Sequence, residues 1–339
     1  APTSPHTGLL WAMEVLAWDP THLPRVVQIL ARLAAIDPGG KLGNRPINSL
    51  RTIFLSWAPN TNATLKQRIG ALDYIIRTVP GVGWDLLTKL LPRSQDTSSP
   101  AVKPKFREAG ASEAESLTYG VVWESEREII SRALAQAERQ PTRLVTIIKS
   151  MSEFQPDSRN KTLDVVEGYL EKNAQSDGTY LLWAALREEV NRHRAFADAD
   201  WALKEEELAR IDLIVDKYEP SDPVRLNVWV FDDWMPSVPG KLDDLVDSVD
   251  AARRTAAQTV FAQLGIAGLQ SLAEAAKLKQ LVAGALDGVN VDALGFAELV
   301  KNSVGRSDEL EHFASVASAV AAKRFGDQWV AILKEMAIT

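Results

Sequence analysis

"TGLLWAMEVLAWDPTHLPRVVQILARLAAIDPGG", residues 7–40, carries the pattern on which the fold of the whole chain turns. Over 9–18, Leu9, Leu10, Met13, Leu16 and Ala17 fall at the i, i+3, i+4, i+7 spacing of one helical face. Val26, Ile29, Leu30, Leu33 and Ile36 continue that spacing over 23–36. Between the two runs, "WDPTH" reads as a tight turn. Pro24 stands near the start of the second run, where its missing N–H costs nothing, and the glycines of "DPGG" can take the positive φ that ends a helix. The stretch therefore predicts a helical hairpin.

The same reading extends outward. Helical pairs are expected at 64–79 with 82–92, at 116–139 with 141–154, and at 179–195 with 199–218, the last pair entered from a helix over 160–173. Trp201, Leu208, Ile211, Val215 and Tyr218 supply the apolar face of the long pair. Residues 242–337 are alanine-rich and helical in pattern. The best strand candidate, "RLNVWVF" at 225–231, is one short run without an obvious partner. The fold class is therefore all-α, with stacked antiparallel helix pairs in an irregular superhelical array of the HEAT or TPR kind. "VVQILARL" from Val26, "LVTIIKSM" from Leu144 and "WVAILKEM" from Trp329 share one apolar pattern, which fits either a repeat or ordinary amphipathic helices.

The expected organisation is an N-terminal hairpin block over 1–110 and a central block over 111–220, followed by a Pro/Trp-rich connection at 221–241 and an alanine-rich block over 242–339. With 339 residues, 46% of them apolar, the chain can bury on the order of 75% of its unfolded surface. A net charge of -7 argues against a general nucleic-acid or anionic-membrane surface. The sequence has no cysteine, hence no disulfide, thiolate metal site or cysteine nucleophile, which suits a cytoplasmic location. No apolar run approaches the ~20 residues needed to span a bilayer. The start at Ala1, without a leader, is read as a segment of a larger polypeptide.

Catalytic motifs fail on their own requirements. "AIDPGGKL" at 35–42 lacks the first glycine and the Ser/Thr of a phosphate-binding loop, and it follows a helix rather than a strand. "PGVGWD" at 80–85 lacks the third glycine of a dinucleotide fingerprint. His193, Asp198 and Asp200 fall short of a zinc signature, and Asp198 reads better as a helix cap. "KLDDLVDSVDAARR" at 241–254 has the acidic-then-basic order a helix dipole favours. No cofactor, metal or catalytic residue is expected.

Binding candidates gather in the long loops. Arg45, Arg51 and Trp57 lie in 38–63, Lys103, Lys105 and Arg107 in "KPKFR", and Trp229, Asp232, Asp233 and Trp234 in "WVFDDWMP". Arginine and tryptophan are common interface anchors, and the aromatic, acidic group can take a cation or pin its own connection. Asn48 or Ser49 is expected to cap the helix that carries Arg51 and Trp57, and "NTNAT" at 60–64 to turn and cap the next.

The run from Gly8 to Ile69, together with "VGWDLLTKLLP" and "SSPAVKPKFRE", resembles a helical segment of large bacterial multidomain proteins related to STAND-type signalling NTPases. The likeness covers 8–110 best, with "YEPSDPVRLNVWVF" as a lesser part. It implies a sensor or accessory region of a signalling or defence protein, with the NTPase and effector parts elsewhere. The leading expectation is a non-catalytic scaffold that recognises a protein, peptide or ligand, or another domain of the same polypeptide, through its inter-helix loops. The alternatives are a helical enzyme using Asp232, Asp233 and His193, and a spacer between domains.

Overall fold

A computed structural model of the chain describes residues 6–98, 103–104, 115–174, 176–238 and 245–335. Among the described residues there are sixteen α-helices and no strand, so the all-α expectation holds. The chain divides into two compact units, Ala1–Lys172 and Asn173–Thr339.

The first unit holds α1 (His6–Leu16), α2 (Leu23–Ala35), α3 (Pro46–Phe54), α4 (Leu65–Thr78), α5 (Pro80–Leu90), α6 (Tyr119–Ala137), α7 (Pro141–Ile148) and α8 (Pro156–Lys172). The opening hairpin is present: α2 begins with Pro24 in its first turn and buries Leu23, Val26, Val27, Leu30 and Ala31. Consecutive helices pack on one another, α2 on α3, α4 on α5, and α6 on α7. Thr64 and Gln67 form a reciprocal capping box that starts α4, as "NTNAT" predicts. The Gln67 carboxamide accepts the Thr64 N–H at 2.8 Å. At the α4–α5 crossing, Gly83 lets backbones approach so closely that a Cβ there would lie 2.8 Å from Ile76 Cα.

The second unit holds α9 (Asp177–Ala195), α10 (Glu205–Lys217), α11 (Pro223–Asn227), α12 (Leu245–Ala275), α13 (Lys279–Ala285), α14 (Ala293–Ser303), α15 (Asp308–Phe325) and α16 (Asp327–Glu335). Side chains of Ser176, Asp222, Asp292 and Ser307 each cap the helix that follows. Within α12, Gly265 at φ 63°, ψ -152° bends the helix. Phe231, Val260, Leu269, Leu272, Phe296 and Phe313 belong to one apolar core.

Three local expectations differ from the structure. Residues 225–231 are not a strand or loop: α11 runs into a 3-10 turn over Val228–Phe231, whose Val230 and Phe231 enter that core. Asp222 starts this helix, with its carboxylate accepting the Val224 N–H at 3.0 Å. The described residues 221–238 lie within the second unit, which begins at Asn173. Asp198 caps nothing, since α10 starts only at Glu205, and Trp201 sits in the preceding turn against His193 and Phe196. Neither Asn48 nor Ser49 caps α3, which begins at Pro46 after Arg45. The Asn48 amide donates to Gly43 O, and the Ser49 hydroxyl to Glu14.

The described residues of the three similar octamers fall on α2, on α7 with its following turn, and on α16. Each buries two or more of its apolar positions, among them Val26 with Leu30, Leu144 with Ile147, and Trp329 with Ile332, while Val330 is exposed. An amphipathic second helix in a pair accounts for that pattern.

Candidate functional site

The segment between α3 and α4 is non-helical yet buried. Asn60, Thr61 and Asn62 expose only 4%, 6% and 5% of their surface, an unusual burial for a polar loop. Its backbone is anchored on two sides: Asn60 N–H donates to Thr52 O at 3.2 Å, and Asn62 N–H to Trp18 O at 3.1 Å. Ala63 N–H donates to the Thr61 hydroxyl at 3.1 Å. These bonds hold the loop against the α1–α2 turn, as a buried backbone requires.

A cleft of about 390 Å³ opens over this segment, between Trp18, the 58–63 loop, Arg68 of α4, Lys103, Glu115 and the start of α6 at Val121. That size is ordinary for a small-molecule site, on the scale of roughly 300–1,000 Å³. Arg68 reaches it by periodicity, lying three residues after Leu65 and four before Leu72 on the buried stripe of α4, and it is only 3% exposed. Its Nε and Nη1 are buried and find no acceptor among the described residues, and Asn60 Nδ2 and Trp18 Nε1 are likewise unmatched there. Burial lowers the Arg68 pKa, against which the Glu115 charge acts in the opposite direction. Glu115 also accepts the Leu65 N–H at 2.9 Å at the start of α4. The Lys103 ammonium stands 5.2 Å from the Trp18 ring centroid. Two cations, one carboxylate and the three residues that bear these unmatched nitrogens thus line one cleft.

The candidates taken from the sequence are distributed differently. Arg45 forms a two-point ion pair with Asp37, its Nε donating at 2.7 Å, and this closes the loop between α2 and α3. Arg51 and Trp57 do come together, on Asp96. The Arg51 guanidinium pairs with that carboxylate and donates to Lys89 O at 3.2 Å and Thr97 O at 3.3 Å, while Trp57 Nε1 donates to Asp96 at 3.1 Å. Trp57 borders a second cleft with Trp123, Glu126 and Glu153. Burial raises the Glu126 pKa. Lys103 lines the Arg68 cleft, whereas Lys105 and Arg107 lie outside the described residues.

In the second unit, the face of Trp229 is covered by Arg187, whose guanidinium carbon lies 3.8 Å from the ring centroid. Asp232 accepts the Lys277 N–H at 3.1 Å and faces the Lys277 ammonium at 3.5 Å. Asp233 accepts the Met235 N–H at 3.1 Å. Arg253 donates to Val230 O at 3.0 Å, Asp233 O at 2.9 Å and Trp234 O at 2.8 Å, fastening the segment to α12. The polar groups of "WVFDDWMP" therefore engage the chain itself, and Trp234, at 60% exposed, is the aromatic left facing solvent.

His193 is fully buried, and its Nδ1 accepts the Leu203 N–H at 3.1 Å, joining the last turn of α9 to the approach to α10. No hydrogen bond or ion pair among the described residues joins it to Asp232 or Asp233. Among the described residues there is also no group of three acidic or histidine side chains fit to hold a metal, and no helix long and apolar enough to cross a membrane.

Sequence reasoning missed Arg68, Asn60, Trp18 and Glu115. Two signals point to them. An arginine occupies an apolar-stripe position in α4, and an Asn-Thr-Asn run lies beside a tryptophan-bearing turn only in the folded chain. Compared with protein families, with curated proteins and with solved structures, the chain has no match.

Proposed function

We propose that this chain is a non-catalytic helical scaffold that works as a sensor region, recognising a ligand through its inter-helix loops. The observation that carries the reading is the Arg68 cleft, where a buried loop and a buried guanidinium present unmatched donors. Loops positioned by rigid helices are the usual location of recognition, and here the loop after α3 is fixed by hydrogen bonds to Trp18 and Thr52. The resemblance to STAND-type signalling NTPases supports placing this region beside a nucleotide-hydrolysing domain and an effector in a bacterial, cytoplasmic signalling or defence protein. In that setting, ligand occupancy biases the neighbouring domains.

The test is made in the intact gene product. Asn60→Ala and Arg68→Met are introduced singly, and the helical circular dichroism of each variant is compared with that of the parent. Loss of the protein's response to its activating ligand, with helical content retained, is the expected result. An unchanged response in both folded variants contradicts the reading.

A further inference from the structure

We propose that the Arg68 cleft is an oxyanion site, which takes a single carboxylate or phosphate group of a small molecule onto Arg68, Asn60 and Trp18. This rests on the cleft being the ligand site and names the class of ligand it takes. The first argument is the chemistry of the unmatched atoms. Arg68 Nε and Nη1, Asn60 Nδ2 and Trp18 Nε1 are all donors, and neither guanidinium nor indole can accept a hydrogen bond. A ligand that satisfies them must bring several acceptors, which an ionised oxyanion supplies on one group. The second is charge. Arg68 and Lys103 carry two positive charges at the cleft against the one negative charge of Glu115, so a single anion balances the site.

The third argument is the state of Arg68 itself. A guanidinium on a residue only 3% exposed, with two nitrogens unmatched, is unfavourable in a folded chain unless something completes it. Glu115 offsets its charge, while that carboxylate accepts the Leu65 N–H. A polyanion is disfavoured by the overall charge of -7, and a cleft of about 390 Å³ suits one group on a small molecule.

The experiment is thermal denaturation of the intact 339-residue chain, with sodium acetate or sodium phosphate replacing chloride at constant ionic strength. A ligand that binds only the folded state raises the midpoint as it saturates. Expected is a saturable rise with at least one of the two oxyanions, and the stronger of them identifies the carboxylate or the phosphate as the preferred head group. In Arg68→Met the rise disappears, or needs roughly 10- to 100-fold more anion, the effect of losing a charge-assisted bond. Asn60→Ala, which leaves the guanidinium in place, weakens the response more mildly. It serves as the reading if the Arg68 variant does not fold.

An equal response in wild type and folded variants overturns the proposal, as does no response to either oxyanion. Methylammonium chloride separates the two levels of failure. If it raises the midpoint, and Glu115→Gln removes that rise, the cleft binds ligand but not an oxyanion. If none of the three probes acts, the ligand-site reading falls as well.

Discussion

Trp57 and Asp96, separated by 39 positions in sequence, are joined by a hydrogen bond of 3.1 Å from the indole Nε1 to the carboxylate. Arg51 holds the other carboxylate oxygen, so one acidic residue ties the end of α3 to the loop after α5. Removing the shared acceptor takes the carboxylate from a guanidinium and an indole at once, leaving Arg51 only its bonds to Lys89 O and Thr97 O. Asp96→Ala is expected to destabilise the first unit by about 2 kcal/mol, the scale of a charge-assisted hydrogen bond. In urea unfolding, the losses for Asp96→Ala and Arg51→Ala combine to less than their sum in the double variant, because both delete one junction.

Arg253 spans three carbonyls, those of Val230, Asp233 and Trp234, from a position that is 7% exposed. Arg253→Met keeps the apolar stem and strands the acceptors. A loss of about 2–3 kcal/mol is expected. Hydrogen exchange then quickens over residues 230–235 more than at the centre of α15, which localises the effect.

The bend in α12 depends on a backbone conformation that side chains resist. Gly265 takes φ 63°, ψ -152°, and an added Cβ meets nothing within 4 Å there, so the cost of Gly265→Ala is backbone strain alone. It is expected to lose about 1–3 kcal/mol. Gly284, in α13, also leaves open space for an added Cβ, but it sits within a helix and has no positive φ. Gly284→Ala is expected to gain about 0.5–1 kcal/mol. Chemical denaturation of the two variants gives opposite signs.

Burial raises Glu126 above its ordinary value of 4.5, so the folded chain holds this proton to higher pH than the unfolded chain does. The stabilisation from that proton is complete below the ordinary value and is lost as pH rises through the folded value. Glu126→Gln cannot ionise. Its melting temperature is therefore expected to exceed that of the wild type at pH 7, with the gain shrinking on acidification. A gain that grows on acidification contradicts the assignment.

The helices were legible because each carries a 3.6-residue apolar stripe and recognisable ends, as with Pro24 in α2 and Thr64 before α4. The segment 225–231 was not, since "NVWVF" has the residue types of a strand and only its packing against α12 selects a short helix. In the loops, residue type suggested contacts with partners, whereas Arg45 and Arg51 serve Asp37 and Asp96 of the same chain. The partners of a long side chain depend on tertiary proximity, which local spacing does not encode. The Arg68 cleft was hidden for the same reason, as its donors come from positions 18, 60 and 68 and its acid from 115.

The most direct measurement is the indole N–H resonance of Trp18, identified by its loss in Trp18→Phe, during titration of the intact chain with acetate and with phosphate at fixed ionic strength. The account predicts a saturable shift of that resonance with at least one oxyanion, abolished or displaced to much higher concentration in Arg68→Met. A Trp18 resonance that stays fixed through both titrations, in a chain that remains folded, contradicts it.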